Sequence, residues 1–495
     1  MNQMVPQARL ALARLSDAGL LRTQLFVGGT FIDTDLDIAV TDPATGLEIA
    51  RVGACDEPML ERAISCAGNA FDGWRDMLAA DRARILAAWG RLVRENVADL
   101  AVILSAEQGK PLAEARAEIL YGAGFMDWFA AEGERAYGET IPSHKPGSRL
   151  FVSMQPVGIA AAVTPWNFPS AMIARKASAA LAAGCTVIVK PAVETPLSAL
   201  ALAVLAERAG FPPGVFQVVT GEPGRLVGRL LDDQRVRAFS FTGSTEIGRM
   251  LLSRAGKTVK KVSMELGGHA PFIVFDDADF DLAIEGCMAA KFTTSGQDCL
   301  AANRIFVQDR LYDRFIERLA KRISALRSGS GFEAGVDIGP MTKRSVVEKC
   351  RAHIHDALER GARLVVGAAP EPGAGNFVAP TLLADVDDQM LIAREETFGP
   401  VAPVLRFSSE EEIQARANAT EMGLAAYVYT THVNRAMRLS DRLEYGMVGV
   451  NTPSFTGAPI PFGGWKQSGL GREGSRHGLQ DFSELKYVCF GSLAA

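Results

Sequence analysis

The apolar and polar positions between residues 157 and 264 form a regular alternation. Short apolar runs predict strands at 157–163, 186–190, 215–219, 236–241 and 259–264. Helical periodicity predicts helices between them, at 170–183, 197–210, 223–231 and 245–254. This βαβ rhythm indicates a parallel sheet with helices on both faces, and the ligands of such sheets lie at the carboxyl ends of the strands.

The segments on either side of this alternation predict further strands and helices. Short strands and turns cover residues 25–52, and helical periodicity covers 57–71, 80–106 and 112–132. Residues 133–155 contain glycines and prolines between short polar strands, which could pair with another subunit. A helix-like stretch over 280–292 then precedes an apolar, strand-like run at 305–307. The whole pattern predicts an α/β fold.

Composition and charge are those of an ordinary globular protein. The chain has 495 residues, of which 48% are hydrophobic and 22% charged. That length suggests about three domains. A net charge of −5, without any lysine- or arginine-rich block, argues against a nucleic-acid partner. No apolar run reaches the length of a membrane-spanning helix, so no membrane partner is expected.

Cysteine usage favours a reducing, cytoplasmic setting. The seven cysteines are scattered and form no CxxC pair, so neither a disulfide framework nor a structural zinc site is predicted. His353 and His355 point to different faces of a predicted helix, so no metal site is expected there either. Residues 5–22 carry three arginines and one acid, which leaves an amphipathic transit peptide open beside the simpler interpretation, a short surface helix.

Cys299 is a candidate nucleophile because of where it lies. It follows Gly296-Gln297-Asp298, on a predicted tight turn between the helix-like stretch and the strand-like run. A sulfur in that position is placed beside backbone N–H groups, whose dipoles would stabilise a thiolate. A lone cysteine is more often a small core residue, so the neighbouring motifs decide between the two interpretations.

Four motifs lie at the ends of predicted strands. Residues 164–169 read Thr-Pro-Trp-Asn-Phe-Pro; they form either a plain turn or a rigid one in which Asn167 offers amide donors. Lys190 can reach ribose hydroxyls or a phosphate, or can simply be solvated. Residues 241–248 form a glycine turn that opens a helix and suits a phosphate, although it is not GxGxxG. Glu265 ends an apolar strand before paired glycines, and general-base work would explain such a glutamate.

These motifs together resemble the NAD(P)-dependent aldehyde dehydrogenase superfamily over essentially the whole chain. The resemblance also rests on Gly296-Gln-Asp-Cys299, on Glu395-Glu-Thr-Phe-Gly-Pro400 and on Pro461-Phe-Gly-Gly464. Within the superfamily the chain is most similar to the succinate-semialdehyde dehydrogenases. That closer likeness rests on Ile173-Ala-Arg-Lys176, Lys190-Pro-Ala192, Lys466-Gln-Ser-Gly-Leu-Gly-Arg-Glu-Gly474 and Glu484-Leu-Lys-Tyr487.

The resemblance implies a Rossmann-like cofactor domain, an α/β catalytic domain and a small β oligomerisation element. Residues 1–132 and 156–262 would form the dinucleotide-binding domain, and residues 263–482 the catalytic domain. Residues 133–155 and 483–495 would form the oligomerisation element, so a homodimer or homotetramer is expected.

The resemblance also implies a mechanism. Thiolate Cys299 would attack the aldehyde, while the Asn167 amide and the Cys299 backbone N–H hold the oxyanion. After hydride transfer, Glu265 would activate water to hydrolyse the thioester, and Lys176 would stabilise the active centre. The presence of Glu265 favours hydrolysis of the thioester to a free acid over transfer of the acyl group to coenzyme A.

A nicotinamide cofactor follows from the same resemblance. The expected cofactor-binding residues are Thr164, Pro165, Trp166, Lys190, Val193, Gly243, Ser244, Glu396 and Phe398. A glutamate usually holds the ribose hydroxyls at the position of Val193. Since valine does not repel a 2′-phosphate, NADP is slightly favoured over NAD, although Glu194 could swing in and restore a preference for NAD.

Substrate recognition is expected to depend on Arg175, eight residues after Asn167. A guanidinium suits a distal carboxylate, which favours a semialdehyde such as succinate semialdehyde; a surface arginine is the alternative. The chain has Thr293 where succinate-semialdehyde enzymes carry a second arginine, so a longer, neutral or aromatic aldehyde stays open, the last stacked on Phe455 or Trp465. The expected substrate-binding residues are Arg175, Phe168, Thr293, Phe455 and Trp465.

Two further interpretations follow from particular residues. Ala301 stands where some relatives carry a second cysteine, so no local disulfide switch is expected. A catalytically silent binding or structural protein on the same scaffold is the remaining alternative, and the intact set of Cys299, Glu265 and Asn167 argues against it.

Overall fold

The alternation predicted for residues 157–264 is present in the structure, a computed structural model that describes residues 7–368 and 375–491. Residues 1–6 of the predicted dinucleotide-binding domain lie outside the described residues, as do 492–495 of the predicted oligomerisation element. In the described part of the chain, no helix combines the length and the apolar character needed to cross a membrane.

The helices are α1 (Gln7–Leu12), α2 (Glu57–Asp76), α3 (Ala79–Glu95), α4 (Val97–Gln108), α5 (Leu112–Gly133), α6 (Ala171–Ala183), α7 (Pro196–Ala209), α8 (Pro223–Asp232), α9 (Thr245–Ala255), α10 (Phe280–Phe292), α11 (Asp309–Ser324), α12 (Arg344–Glu359), α13 (Leu391–Arg394), α14 (Glu410–Asn418) and α15 (Val433–Arg442). Short 3₁₀ segments occur at Ala18–Leu20, Gly256–Thr258, Thr293–Gly296 and Arg476–Phe482.

The strands are β1 (Leu25–Val27), β2 (Thr30–Ile32), β3 (Asp37–Thr41), β4 (Glu48–Gly53), β5 (Glu139–Ile141), β6 (Arg149–Pro156), β7 (Ile159–Val163), β8 (Thr186–Lys190), β9 (Phe216–Val218), β10 (Val236–Thr242), β11 (Lys261–Glu265), β12 (Ala270–Val274), β13 (Ala302–Gln308), β14 (Arg363–Val366), β15 (Thr381–Ala384), β16 (Val401–Phe407), β17 (Met422–Gly423), β18 (Ala425–Tyr429), β19 (Met447–Val450), β20 (Trp465–Lys466), β21 (Gly469–Leu470) and β22 (Ser483–Phe490).

The first large sheet has eight strands in the order β2-β1-β9-β8-β7-β10-β11-β21. Its five central strands, β9 to β11 in that order, are parallel, and antiparallel strands close both edges. In this register Val163 lies opposite both Lys190 and Phe241, and Thr242 lies opposite Glu265. The four sequence motifs therefore meet at one edge of one sheet, as the βαβ pattern predicts.

The second large sheet has seven strands in the order β14-β15-β16-β13-β12-β18-β19, all parallel except β14. Alternate residues of each sheet face opposite apolar cores. On β12, Phe272 and Val274 face one core, whereas Ile273 faces the other. Each sheet is thus covered by helices on both faces, which confirms the predicted α/β fold.

A third, small sheet stands apart from the two large ones. It has the order β22-β6-β5, and β22 pairs with β6 along its whole length. Apolar side chains on this sheet are exposed, including Leu485 at 72% and Tyr487 at 53%. The segments predicted to pair across subunits are therefore strands that leave an apolar surface in a single chain.

One detail differs from the sequence predictions. The helix predicted over 80–106 is two helices, α3 and α4, because Asn96 leaves helical geometry with a ψ angle of 17° and its side chain donates to the Leu92 carbonyl. Near the end of the predicted catalytic domain, β21 pairs with β11 of the first sheet, and Leu479 and Phe482 lie in the core of that sheet, while the domain bounds stay a prediction. Sequence spacing alone does not reveal such a return of the chain.

Candidate active site

The loop that carries Cys299 has an unusual backbone. After α10, Thr294, Ser295 and Gly296 have φ angles of 52°, 57° and 73°. A Cβ atom on Gly296 would lie 2.4 Å from the Gly399 carbonyl oxygen, so only glycine fits there. Three consecutive left-handed residues turn the chain sharply and bring Cys299 to the end of the second sheet, just before β13.

The paired glycines after Glu265 let the two sheets approach each other at this loop. A Cβ atom on Gly268 would lie 2.2 Å from the Cys299 carbonyl oxygen. A Cβ atom on Gly267 would lie 3.0 Å from a carboxylate oxygen of Glu396. The close backbone approach expected of the paired glycines is therefore observed, and it places Glu265 near Cys299.

A cavity of about 640 Å³ opens between the two large sheets. It brings together most of the predicted residues from both of them. Those that line it are Asn167, Glu265 and Cys299 from the catalytic prediction, Pro165, Trp166, Gly243, Ser244, Glu396 and Phe398 from the cofactor prediction, and Phe168, Arg175 and Thr293 from the substrate prediction.

Six predicted residues do not line this cavity: Thr164, Lys176, Lys190, Val193, Phe455 and Trp465. The ring of Phe455 lies 5.3 Å from that of Tyr427 and packs against the core of the second sheet. Trp465 lies in β20 and is 48% exposed. Neither ring is among those that line this cavity, and the stacking of an aromatic aldehyde on either ring stays a prediction.

Arg175 is buried, which excludes the alternative of a surface arginine. Its Nη2 atom lies 2.8 Å from Oε2 of Glu473, and its guanidinium lies 3.9 Å from the centre of the Phe462 ring. Glu473 also pairs with the ammonium of Lys176, which donates in addition to the Ser240 hydroxyl at 3.1 Å. Lys176 therefore lies behind the cavity wall, joined to Arg175 through one shared carboxylate.

Glu473 was not predicted as a site residue, although it belongs to the 466–474 stretch that carried the resemblance. Burial by itself would raise the pKa of Glu473, but Lys176 and Arg175 hold it below its ordinary value. The carboxylate is therefore ionised and fixes two cations next to the cavity. A second missed residue is Lys110, whose ammonium donates to Glu118 at 2.7 Å and to the Asn167 carbonyl at 2.8 Å.

Asn167 is held next to the nucleophile loop. Its Nδ2 atom donates to the Gln297 carbonyl at 3.0 Å, while Lys110 fixes its backbone carbonyl. The Gln297 side chain in turn accepts from the Thr342 N–H at 3.0 Å. The amide thus has a fixed orientation, and its other N–H is free to serve a ligand in the cavity.

Glu265 is a buried carboxyl with an unusual proton affinity. Burial raises its pKa to about 8, Glu473 adds to the rise, and Arg175 and Lys176 oppose it. Its Oε1 atom is buried and makes no hydrogen bond to any described residue. The pKa of this carboxyl is therefore close to neutral pH, where a general base works best.

The surroundings of Cys299 disfavour its thiolate form. Burial raises the pKa of Cys299 well above its ordinary value, and the carboxyl groups of Glu265, Asp298 and Glu396 raise it further. Arg175 opposes them only in part. Burial and these carboxyl groups therefore oppose the thiolate that the backbone dipoles were expected to stabilise.

The other half of the cavity fits a dinucleotide. Ser244 begins α9, with its hydroxyl accepting from the Ile247 N–H at 3.4 Å, so the helix N-terminus faces the cavity. The rings of Trp166 and Phe398 meet edge to face at 5.4 Å. Oε1 of Glu396 accepts from the Gly268 N–H at 3.1 Å, which leaves Oε2 for a ribose hydroxyl.

Lys190 ends β8 beside this half of the cavity. It is buried, and its ammonium makes no hydrogen bond to any residue in the described ranges. Burial lowers its pKa to about 8, with Glu194 and Glu222 raising it and Lys343 lowering it further. Thr164 lies next to it and donates its backbone N–H to the Lys190 carbonyl at 3.1 Å. A buried cation that makes no hydrogen bond to a described residue is suited to an anionic or hydroxyl-bearing ligand.

Other residues that were not predicted as site residues complete the cavity wall: Asp298 and Phe462 belong to motifs of the resemblance, whereas Glu114, Tyr121 and Lys349 had no signal in the sequence. Within the described residues, no group of three or more histidines, cysteines and acids could hold a metal ion. His269 is used in packing: its Nε2 atom lies 2.8 Å from the Ala393 carbonyl oxygen, close to Gly268.

Comparison with known proteins places this geometry in context. The model described as "Aldehyde dehydrogenase family" matches residues 31–488. The 3-sulfolactaldehyde dehydrogenase of Pseudomonas putida is 54% identical over 481 residues, covering 97% of this chain and 99% of the relative. The succinate-semialdehyde dehydrogenase GabD of Escherichia coli K12, whose name specifies NADP(+), is 51% identical over 480 residues, covering 97% and 100%.

A solved structure agrees with these sequence relatives. The crystal structure of succinate-semialdehyde dehydrogenase from Burkholderia pseudomallei superimposes with a TM-score of 0.95 at 49% identity, covering 97% of this chain and 100% of that one. The chain therefore shares both its sequence and its fold with these proteins along nearly its whole length.

Proposed function

This chain belongs to the aldehyde dehydrogenase family, and from this premise we propose that it oxidises a carboxylate-bearing semialdehyde, such as succinate semialdehyde, to the carboxylic acid. The observation that carries the proposal is Arg175, a buried guanidinium that lines the same cavity as Cys299. A guanidinium in an apolar wall is a strong site for the distal carboxylate of a short aldehyde. NADP or NAD is the cofactor.

In this mechanism Cys299 is the nucleophile. Its thiol must release a proton to solvent before the thiolate attacks the aldehyde carbon. The Asn167 amide and the Cys299 backbone N–H hold the oxyanion that forms, and loss of one such donor typically costs about 3–4 kcal/mol. Lys176 does not touch the cavity and acts by fixing Glu473 beside Arg175.

Hydrolysis of the Cys299 thioester completes the turnover. The bound nicotinamide supplies the hydride acceptor. Glu265 then removes a proton from water, and its pKa near neutrality suits this role. Because this base is present, the product is a free acid. The cofactor would bind in the part of the cavity that is lined by Trp166, Phe398, Glu396, Gly243 and Ser244.

The first test is substrate preference. We expect kcat/KM for succinate semialdehyde to exceed that for butanal, an uncharged aldehyde of equal length, by about a hundredfold, or about 2.7 kcal/mol. Arg175→Gln should remove most of this preference and leave the butanal rate within a few-fold of that of the wild-type enzyme. Equal kcat/KM values for the two substrates in the wild-type enzyme would point to a longer or neutral aldehyde. An equal loss of kcat/KM for both substrates in the variant would show that Arg175 only supports the fold.

A second candidate substrate is an aldehyde with a distal sulfonate. The 54% identical relative is named for 3-sulfolactaldehyde, and a guanidinium binds sulfonate oxygens as it does those of a carboxylate. Because Thr293 stands where succinate-semialdehyde enzymes carry a second arginine, Arg175 is the one arginine that lines the cavity in the described residues. Including a sulfonated aldehyde in the same comparison separates the two candidates by their kcat/KM ratio.

We also propose the domain organisation and the setting of the protein. The first sheet with its helices would bind the cofactor, the second would carry the nucleophile, and the third would join subunits. All seven cysteines are free, which supports a reducing compartment such as the cytoplasm. The aldehyde is the small-molecule partner.

Light scattering should give a dimer or tetramer of the 52.9 kDa chain. The exposed apolar side chains of β6 and β22 support this, because such a surface is usually covered by another subunit. Leu485→Asp should shift the protein towards the monomer. Leu78→Asp is the matched control, since Leu78 is 71% exposed and Leu485 72%. A monomeric wild-type protein at micromolar concentration would contradict the proposal.

A further inference from the structure

An ion pair joins the two large sheets beside Lys190. Glu194 lies in the loop after β8 of the first sheet, and Lys343 immediately precedes α12, which packs on the second. Oε1 of Glu194 lies 2.7 Å from Nζ of Lys343. Both side chains are partly exposed, at 22% and 40%, so solvent and ligands can reach them.

Four charged groups surround this position, and three of them are already engaged. The Glu222 carboxylate accepts from the Gly224 and Arg225 N–H groups at 2.9 and 2.8 Å, which caps α8. Glu194 and Lys343 hold each other. The Lys190 ammonium alone makes no hydrogen bond to a described residue, although its side chain is buried.

The two forms of the cofactor need opposite groups here. A ribose 2′-hydroxyl is best held by a carboxylate that accepts its proton, whereas a 2′-phosphate carries between one and two negative charges and needs cations. Val193 offers no carboxylate to a hydroxyl. Glu194 is the acid that could replace it, but its carboxylate is engaged by Lys343, and both of these charges act on Lys190.

We propose that Lys343, through its ion pair with Glu194, selects a cofactor with a phosphate on the adenosine ribose 2′ position. The inference rests on the proposed function, which admits either cofactor, and it assigns the choice to two residues, one in the loop after β8 and one just before α12. Lys343 acts in two ways: it neutralises an acid that would repel the phosphate, and it withdraws the acceptor that a 2′-hydroxyl would need.

Binding of the reduced cofactors tests this without turnover. Fluorescence titration would give the Kd of NADPH and of NADH for the wild-type enzyme, Lys343→Ala and Glu194→Gln. Loss of Lys343 should weaken NADPH binding about tenfold or more and leave NADH binding unchanged or tighter, since one charge-assisted contact is worth that much. Glu194→Gln should leave NADPH binding as tight or tighter and leave that of NADH unchanged.

The control is Lys321→Ala, which also removes a lysine from an ion pair, with Glu317 at 2.6 Å on the surface of α11. It should change neither Kd. The inference is overturned if Lys343→Ala leaves NADPH binding unchanged, if it weakens both cofactors equally, or if the wild-type enzyme binds NADH more tightly. Aldehyde oxidation by the wild-type enzyme with either cofactor tests the proposed function separately.

Discussion

Cys299→Ala is expected to lower the rate of aldehyde oxidation by at least ~10⁴-fold, because no other group in the cavity can form the thioester. Cys299 is the one cysteine that lines the cavity in the described part of the chain. The variant should still bind NADPH, since the cofactor half of the cavity is formed by other residues. Cofactor reduction followed at saturating aldehyde measures the loss, and NADPH titration checks that the site is intact.

The matched control for this variant is Cys66→Ala. Cys66 is also a free, partly buried cysteine, but it lies in α2, away from the cavity. It should keep nearly normal turnover. Near-normal turnover in Cys299→Ala would instead refute the assignment and favour the silent-scaffold alternative.

The raised pKa of Cys299 adds a second measurement. Because burial and three carboxyl groups disfavour the thiolate, the cofactor-free enzyme should react slowly with iodoacetamide at neutral pH. The rate should increase as the pH rises towards the thiol pKa, and the increase should be lost in Cys299→Ala. Fast labelling at neutral pH would show that the thiolate is stabilised in the resting enzyme.

The sequence predicted the framework of the site well because its signals are local. Apolar runs of strand length gave the five parallel strands, and their carboxyl ends carry Lys190, Thr242 and Glu265 in adjacent register. Parallel strands bring such ends together without any further information. The motif spacing likewise placed Asn167 and Cys299 in one cavity.

The sequence could not give the partners of the buried charges, since these come from distant segments. Glu473 meets Arg175 and Lys176 only because β21 returns to the first sheet. Lys110 reaches Asn167 from the loop between two helices. Such contacts set the electrostatics of the site, in which burial and the nearby carboxyl groups oppose the thiolate expected at Cys299.

The second large effect is expected for Glu265→Gln, which should separate the two halves of the reaction. Without the base, water attacks the thioester slowly, so steady-state turnover should fall by about 10²–10⁴-fold. If attack and hydride transfer still occur, stopped-flow absorbance should show a burst of about one equivalent of reduced cofactor per active site. Absence of a burst, with equally slow first and later turnovers, would mean that Glu265 is needed before the thioester forms.

Glu107→Gln is the matched control for this substitution. Burial raises the pKa of Glu107 to about 8, as it does for Glu265. The Glu107 carboxylate has a structural role, however: it accepts from the Leu197 and Ser198 N–H groups at 2.7 and 2.8 Å and caps α7. A glutamine keeps one acceptor oxygen there, so the variant should lose some stability but neither the steady-state rate nor the shape of its pH profile.

The pH profile follows from the direction of the Glu265 shift. A general base acts in its ionised form, and a pKa raised to about 8 means that most of Glu265 is protonated at pH 7. Turnover limited by hydrolysis should therefore increase with pH up to about that pKa and then level off, whereas Glu265→Gln should show no such increase. If turnover of the variant still increased with pH in the same way, the titration would belong to another group. Of the neighbouring carboxyls, Glu473 has a lowered pKa and would not titrate in this range, whereas the pKa of Glu396 is also raised. Loss of the increase in Glu265→Gln is therefore the result that assigns the titration to Glu265.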